Sequence, residues 1–350
     1  MRILINGNLG YIGPVVLQHL RRVLPAAKLA GFDTGFFADC LIDQGEFSEA
    51  MLDVQHLGDV RQLPEEVLEG VDIVIQLAAI SNDPMGNAFE RVTGEINAEA
   101  VVENARQAKA AGAKGFVFAS SCSVYGAGGE GAKSESSEVN PLTAYARSKI
   151  AAEQGLRPLA DAGFRITCLR FATACGFSPR LRLDLVLNDF VASALTSGRI
   201  VILSDGTPWR PLIHVQDMAR AIEWATIRPP ESGGHFLVVN AGSNQWNYQV
   251  KELAEAVRAE LGNVDISINN EAPPDKRSYR VDFGLFATLA PGHQPLETLT
   301  SAGRGLIAGL KASGFNDSDF RKSNYIRLKV LTDLCGRGHL SEQLFWHSYS

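Results

Sequence analysis

The chain has 350 residues, 45% of them hydrophobic and 21% charged, and a formal net charge of -6, the balance of a globular protein without the basic footprint of a nucleic-acid binder. Its apolar stretches, such as 71–80 with Asp72 and Gln76 inside it, are far too short to span a bilayer. Five scattered cysteines (Cys40, Cys122, Cys168, Cys175, Cys335) form no C-x-x-C pair, which argues for free thiols in a reducing compartment and against disulfides or a metal site.

Met1-Arg2 runs directly into Ile3-Leu4-Ile5 and a glycine turn, so no secretory signal is expected and the expected location is cytoplasmic. Residues 2–5 read as a first strand and 14–24 as its helix, with Pro14 tolerated in the first turn. Strands are predicted at 28–32, 51–54 and 71–77, a long amphipathic helix at 90–111, and a strand at 115–120. The segment 126–141, rich in Gly, Ser and Glu, is expected to be a mobile loop. A helix at 144–162 and a strand at 165–170 follow. The alternation predicts an α/β fold, a Rossmann-type doubly wound parallel sheet over residues 1–180.

Farther on, 185–196, 215–226 and 247–261 read as helices and 200–203 as a short strand. A strand near 236–240 is expected to return to the main sheet. Residues 181–350 are therefore expected to form a smaller, interleaved lobe over the strand ends, and the tail from about Phe283 carries no assignable motif.

Gly7-Asn8-Leu9-Gly10-Tyr11-Ile12-Gly13, between strand and helix, would turn backbone N–H groups and a positive helix end toward a pyrophosphate. Gly7 permits the turn, Gly10 lets phosphate approach, and Gly13 allows the helix to pack closely. Three glycines in such a turn carry little information by themselves; the N-terminal strand and Asp33 supply the context. Asp33 ends strand two, 20 residues after Gly13, where a carboxylate accepts from adenosine ribose hydroxyls. A 2′-phosphate ~4 Å from that carboxylate would be opposed by ~4 kcal/mol per unit charge at an effective dielectric near 20. No arginine follows in residues 34–37 to offset it, so NAD is expected over NADP. Asp59 and Val60 either flank the adenine or form a surface turn; Leu77, Ala78 and Ala79 either admit the cofactor or simply pack the core.

Tyr145 and Lys149 stand four apart on a predicted helix and so project from one face, with Ser121 24 residues upstream at a strand end. A tyrosine has an ordinary pKa near 10, and an ammonium ~4 Å away would stabilise its phenolate by ~4 kcal/mol, about three pKa units. Tyr145 is thus the expected general base, Lys149 its activator, and Ser121 the hydroxyl that holds the reacting oxygen.

These residues resemble the extended short-chain dehydrogenase/reductase family, in its nucleotide-sugar epimerase/dehydratase branch, over about residues 1–285. The likeness rests on the glycine turn, Asp33, residues 58–61, 77–79, Asn97, the 120–126 segment Ser-Ser-Cys-Ser-Val-Tyr-Gly, and Tyr145 with Lys149. It implies NAD as cofactor, a nucleotide-diphosphate sugar as substrate, and Asn97 near the cofactor. Residues 204–210 and 212–217 are similar to the family's substrate-lobe segments, which implies that Arg210, and either Arg277 or Arg280, meets the nucleotide diphosphate. Relatives often pair through their two long helices, which implies a homodimer through 90–111 and 144–162.

The chain also departs from the family. In its sugar 4,6-dehydratases an Asp-Glu pair follows the active-site hydroxyl residue; here those places hold Cys122 and Ser123, which disfavours dehydration. Cys122 reads either as an acid/base for epimerisation or as a small buried thiol. Thr173 stands where relatives carry an asparagine near the substrate, and Asn188 reads either as a phosphate contact or as a helix-surface amide. Three functions compete: a 4-epimerase that retains NAD, a 4-ketoreductase or dehydrogenase that exchanges it, and a dinucleotide-sensing protein without chemistry. Retention of both Tyr145 and Lys149 favours an enzyme, and the epimerase is the leading expectation.

Overall fold

The computed structural model describes residues 1–42, 47–126, 131–269, 271 and 278–347. Seven strands form the central sheet: β1 Arg2–Asn6, β2 Lys28–Asp33, β3 Val54–Leu57, β4 Ile73–Gln76, β5 Gly115–Ser121, β6 Arg165–Phe171 and β7 Phe236–Ala241. Their spatial order is β3-β2-β1-β4-β5-β6-β7, and every neighbouring pair is parallel. The chain leaves β1 toward β2 on one side and returns to place β4 on the other, so a crevice opens at the carboxyl ends of β1 and β4.

Strand alternation divides the core. Ile3 and Ile5 of β1 join the cluster that contains Val16, Leu17 and Leu20 of helix Gly13–Val23 and Met218, Ala219 and Ile222 of helix Val215–Ile227. Leu4 points the other way, into the cluster of Val101 and Ala105 from helix Ala100–Ala110 with Ala152 and Leu156 from helix Ala144–Leu156. A third cluster is built from helices Val186–Ser197, Val250–Leu261 and Leu299–Ala312. β7 returns from that half of the chain to the edge of the main sheet, pairing with β6.

Several elements differ from the sequence reading. The third strand lies at Val54–Leu57, not 51–54, because Ser48–Met51 is a 3-10 turn and Asp53 spends its carboxylate on the Leu29 N–H (2.9 Å). Helix Ala144–Leu156 stops short of 162; Arg157–Leu159 tightens into a 3-10 turn at Pro158, which has no N–H to continue the ladder. Residues 247–261 are not one helix: Asn247–Gln249 pairs antiparallel with strand Trp209–His214, and Gln249 and Glu252 then form the capping box of helix Val250–Leu261. The helical run at 90–110 contains a π-helical segment, Glu95–Glu99, between two α-helical stretches. Of the expected mobile loop, residues 127–130 lie outside the described residues. The described remainder is tied down: Ala132–Lys133 pairs with Arg280–Val281, and Glu135 accepts from the Asn240 N–H (2.8 Å).

The tail returns to the sheet. Helix Arg327–Gly336 and the following turn bury Leu331, Leu340 and Leu344 in the same cluster as Leu4 and Phe32. The Trp346 indole N–H donates to Thr34 O (2.7 Å), and the Arg61 guanidinium lies 3.6 Å over the Phe345 ring. Among the described residues, no helix is long and apolar enough to cross a membrane.

Candidate functional site

A cleft opens at the carboxyl ends of β1 and β4. Gly7, Gly10, Tyr11, Ile12, Asp33, Asp59, Val60, Leu77, Ala78 and Ala79 all line it, so residues far apart in sequence converge on one space. Gly7 has φ +85°, and a Cβ there would stand 2.3 Å from Ala78 N: the glycine turn lies directly against the end of β4. At Gly10 a Cβ would meet only Gly7 O, at 3.3 Å, which leaves the backbone open to an approaching phosphate. The following helix has no side-chain cap and no acid in its first turn, while Arg21 and Arg22 occupy its last. Its positive end is therefore not neutralised by the protein itself. The cradle fits a dinucleotide.

Asp33 closes the other end. Its Oδ2 accepts from Leu9 N–H (2.9 Å) and its Oδ1 from Gly35 N–H (2.8 Å), which fixes the carboxylate beside the glycine turn. Burial pushes this carboxyl above the ordinary carboxylate range, with the N–H groups of Gly35 and Leu9 acting against it. Asp59 is bound bidentately by Arg61, at 2.6 and 3.0 Å. Leu9 and Gly13 lie behind the cleft wall rather than on it; a Cβ at Gly13 would fall 2.0 Å from Asn8 O.

Asn97 sits in the π-helical segment and is fully buried. Its amide donates to Ile80 O (2.9 Å) and Ser148 Oγ (3.1 Å), and its Oδ1 accepts from Ile80 N–H (2.8 Å). It thereby ties the loop after β4, which lines the cleft, to the helix that carries Tyr145 and Lys149. The irregular turn aims one side chain across the gap between two elements, a common use of such segments.

Tyr145, Lys149 and Glu153 succeed one another on one face of helix Ala144–Leu156. The Ser121 hydroxyl acts on the Tyr145 phenol. Burial pushes that phenol up to about 12, while Ser121 and the charge of Arg182 act to lower it. Lys149 is only 3% exposed; its Nζ donates to Ala119 O (2.7 Å), 5.6 Å from the Tyr145 ring centre. Burial brings its pKa down to about 7, with Glu153 opposing. Burial is the largest influence on the phenol, and the charge of Arg182 is among those that lower its pKa. Glu153 accepts from Ser120 Oγ (2.5 Å) and pairs with Arg170 (2.6 Å), anchoring the helix to β5 and β6.

The candidate substrate contacts divide. Ser121 and Thr173 are partly exposed, the latter in the short strand Thr173–Cys175. Cys122 is fully buried, its thiol donating to Arg170 O (3.1 Å), and burial pushes the thiol far above its ordinary pKa. Ser123 Oγ is a buried hydroxyl without a hydrogen-bond partner. Asn188 is fully buried, with Oδ1 on Gly176 N–H (3.0 Å) and Nδ2 on Arg182 O (2.9 Å), so its amide holds the 176–182 loop instead of facing a ligand or solvent. Arg210 is half-buried and donates to Trp209 O (2.9 Å), and Arg280 lies over the Trp209 ring. Arg277 lies outside the described residues.

Sequence reasoning missed part of the cleft wall: Thr34, Phe36, Phe37, Ile80, Ser81, Ile96, Arg182 and Arg327. Arg182 pairs with Asp184 (2.8 Å) and donates to Ser81 Oγ (3.1 Å). In sequence, Arg180 and Arg182 alternate with leucines, a pattern that reads as exposed charge on an edge segment.

The model of the NAD dependent epimerase/dehydratase family matches residues 3–242 of the chain. The UDP-glucose 4-epimerase of Mycolicibacterium smegmatis is 27% identical over 277 residues, 76% of this chain and 84% of that protein. The dTDP-glucose 4,6-dehydratase of Streptomyces griseus is 26% identical over 228 residues, 64% of this chain and 68% of that one. Among solved structures, the fold is similar to that of UDP-glucose-4-epimerase from Stenotrophomonas maltophila with bound NAD and formylated UDP-arabinopyranose, at TM-score 0.76, 21% identity, and 90% and 99% of the two chains. It is similar also to UDP-glucuronic acid 4-epimerase from Bacillus cereus in complex with UDP-glucuronic acid and NAD, at TM-score 0.76, 21% identity, and 89% and 99% coverage.

Proposed function

The chain belongs to the NAD dependent epimerase/dehydratase family, and from that premise we propose that it is a nucleotide-diphosphosugar 4-epimerase whose NAD stays bound through the cycle. The observation that carries the choice of reaction is at residues 122 and 123. Elimination of water needs an acid and a base beside the sugar; here Cys122 is buried and bound to Arg170 O, and Ser123 is a neutral hydroxyl. That leaves Tyr145 as the proton-handling side chain next to Ser121, which suits oxidation and re-reduction at one carbinol. The UDP-glucose 4-epimerases among the relatives support UDP as the nucleotide.

NAD, when bound, supplies the hydride acceptor and donor. Ser121 holds the C4 oxygen of the sugar by hydrogen bond, beside the Tyr145 phenol on which it acts. Tyr145 takes the C4 hydroxyl proton as the keto-sugar forms and returns it when the sugar is reduced from its other face. Lys149, near neutrality in its titration, is held by Ala119 O where it can steady the cofactor ribose and contribute positive charge in the protonated fraction. Asp33 holds the adenosine ribose and disfavours a 2′-phosphate. The substrate-binding lobe within 181–350 holds the nucleotide sugar, with Thr173 and Arg210 among its contacts, and two copies pair through the helices at 90–110 and 144–156.

The test begins with mass spectrometry of the nucleotide released when the purified protein is denatured. UDP-, dTDP-, GDP- and CDP-sugars are then offered without added cofactor. Conversion to the C4 epimer with no net change in nicotinamide absorbance is the expected result. Dependence on added NADH with stoichiometric oxidation would instead make it a ketoreductase, and release of a dehydrated keto-sugar would overturn the reading of residues 122 and 123.

A further inference from the structure

Arg327 begins the tail helix, is 1% exposed, and lines the same cleft as Gly10 and Ile12. Its guanidinium stacks over the Phe37 ring at 4.9 Å and donates to Asn324 O (3.1 Å) and Arg180 O (2.9 Å). Both partners are neutral carbonyls. Among the described residues no carboxylate stands within ion-pair distance of it, whereas neighbouring Arg180 pairs with Glu49 and Arg182 with Asp184. Arg182 lines the same cleft and repels Arg327, while Asp184, already paired with Arg182, attracts it without forming an ion pair with it. A buried cation without a counter-charge is costly unless a ligand supplies one.

Of the groups in a nicotinamide dinucleotide, the adenine and riboses are neutral and the oxidised nicotinamide is positive. Only the pyrophosphate is anionic, and a guanidinium fork matches its oxygens. We infer that Arg327, with Arg182 in the same cleft wall, binds the pyrophosphate of the dinucleotide, so that the C-terminal segment is part of the cofactor site. The inference rests on the reading of the cleft as the NAD site and adds to it two residues and a segment that the glycine turn does not supply. It also gives a role to the tail's anchoring: Leu331, Leu340 and Leu344 in the core, and Trp346 on Thr34 O, hold Arg327 in place from both sides of the cleft's outer loop.

Calorimetric binding of NAD, ADP and adenosine to the cofactor-free protein tests this, with Arg327→Met, Arg327→Lys and Arg182→Met compared with the wild type. Arg327→Met keeps the volume and removes the charge. It should weaken NAD and ADP by about 10- to 100-fold, the range for a charge-assisted hydrogen bond, and leave adenosine within about twofold. Arg327→Lys should recover part of the loss, and Arg182→Met should fall in the same direction. Melting of the cofactor-free variants reports folding separately: whatever the shift of Arg327→Met from the bonds it loses to Asn324 O and Arg180 O, its gain on adding NAD should be smaller than that of the wild type. Equal loss of adenosine, or unchanged NAD and ADP affinity, overturns the proposal. A wild-type protein that binds none of the three ligands would instead overturn the reading of the cleft itself.

Discussion

Lys149→Met is the substitution whose outcome the structure specifies most closely. The amine is 3% exposed, and burial takes its pKa from 10.5 down to about 7. Between those two values the unfolded chain binds more protons than the folded one, so the stability of the native protein rises as pH increases through that window. Methionine does not titrate, and it fills the same space. The stability of Lys149→Met minus that of the wild type should therefore be largest at about pH 7 and decline as pH rises, by about 3 kcal/mol by about pH 9.5. Loss of the hydrogen bond to Ala119 O shifts the whole difference by about 1 kcal/mol against the variant without changing its slope. Glu153 keeps its partner Arg170 in the variant, so no new unpaired charge enters the comparison. Urea unfolding of the cofactor-free proteins at a series of pH values measures the difference directly. A difference that stays flat from about pH 7 to pH 9.5 would mean that Lys149 titrates normally, and the account of a partly neutral lysine beside Tyr145 would fail.

Tyr145→Phe should lower kcat by about 100- to 10,000-fold, the usual span for losing a general acid–base group, while NAD affinity measured by calorimetry changes less than about twofold. Near-normal turnover in that variant would remove Tyr145 from the chemistry. Cys122→Ala should keep kcat/KM within about threefold, because the thiol is buried and faces Arg170 O; a loss beyond about 100-fold would return the thiol to the list of acid–base groups. Gly7→Ala should destabilise the protein by roughly 2 kcal/mol or more, since φ is +85° and the methyl would meet Ala78 N at 2.3 Å. An unshifted denaturation midpoint would contradict the packing of the glycine turn on β4.

The sheet was legible because parallel strands buried on both faces leave short apolar runs between helical patterns, and six of the seven were placed within two residues of their structural bounds from such runs. The miss at β3 has a local cause: this edge strand is mostly exposed, so no apolar alternation marks it, and the run from Met51 to Val54 straddles the end of a 3-10 turn and the first residue of the strand. The glycine turn and the i, i+4 placement of Tyr145 and Lys149 on one helix face were legible because each rests on a short spacing along the chain. Asn188 was harder to read, since a side-chain amide on a helix looks the same in sequence whether it faces solvent or closes a loop. The structure shows it bound to Gly176 and Arg182.

The chain's sequence by itself determined the order of strands and helices, the cradle between β1 and its helix, and the tyrosine–lysine pair, because each follows from periodicity or from residues within a few positions of one another. The tertiary structure alone decided what surrounds those groups. Burial, which no linear pattern reports, brings Lys149 to about 7 and Tyr145 to about 12. Folding also carries Arg182 and Arg327, 145 residues apart in the chain, to the same cleft. Charge acts through distance in space and through the water excluded around it, and neither quantity exists until the chain has closed on itself.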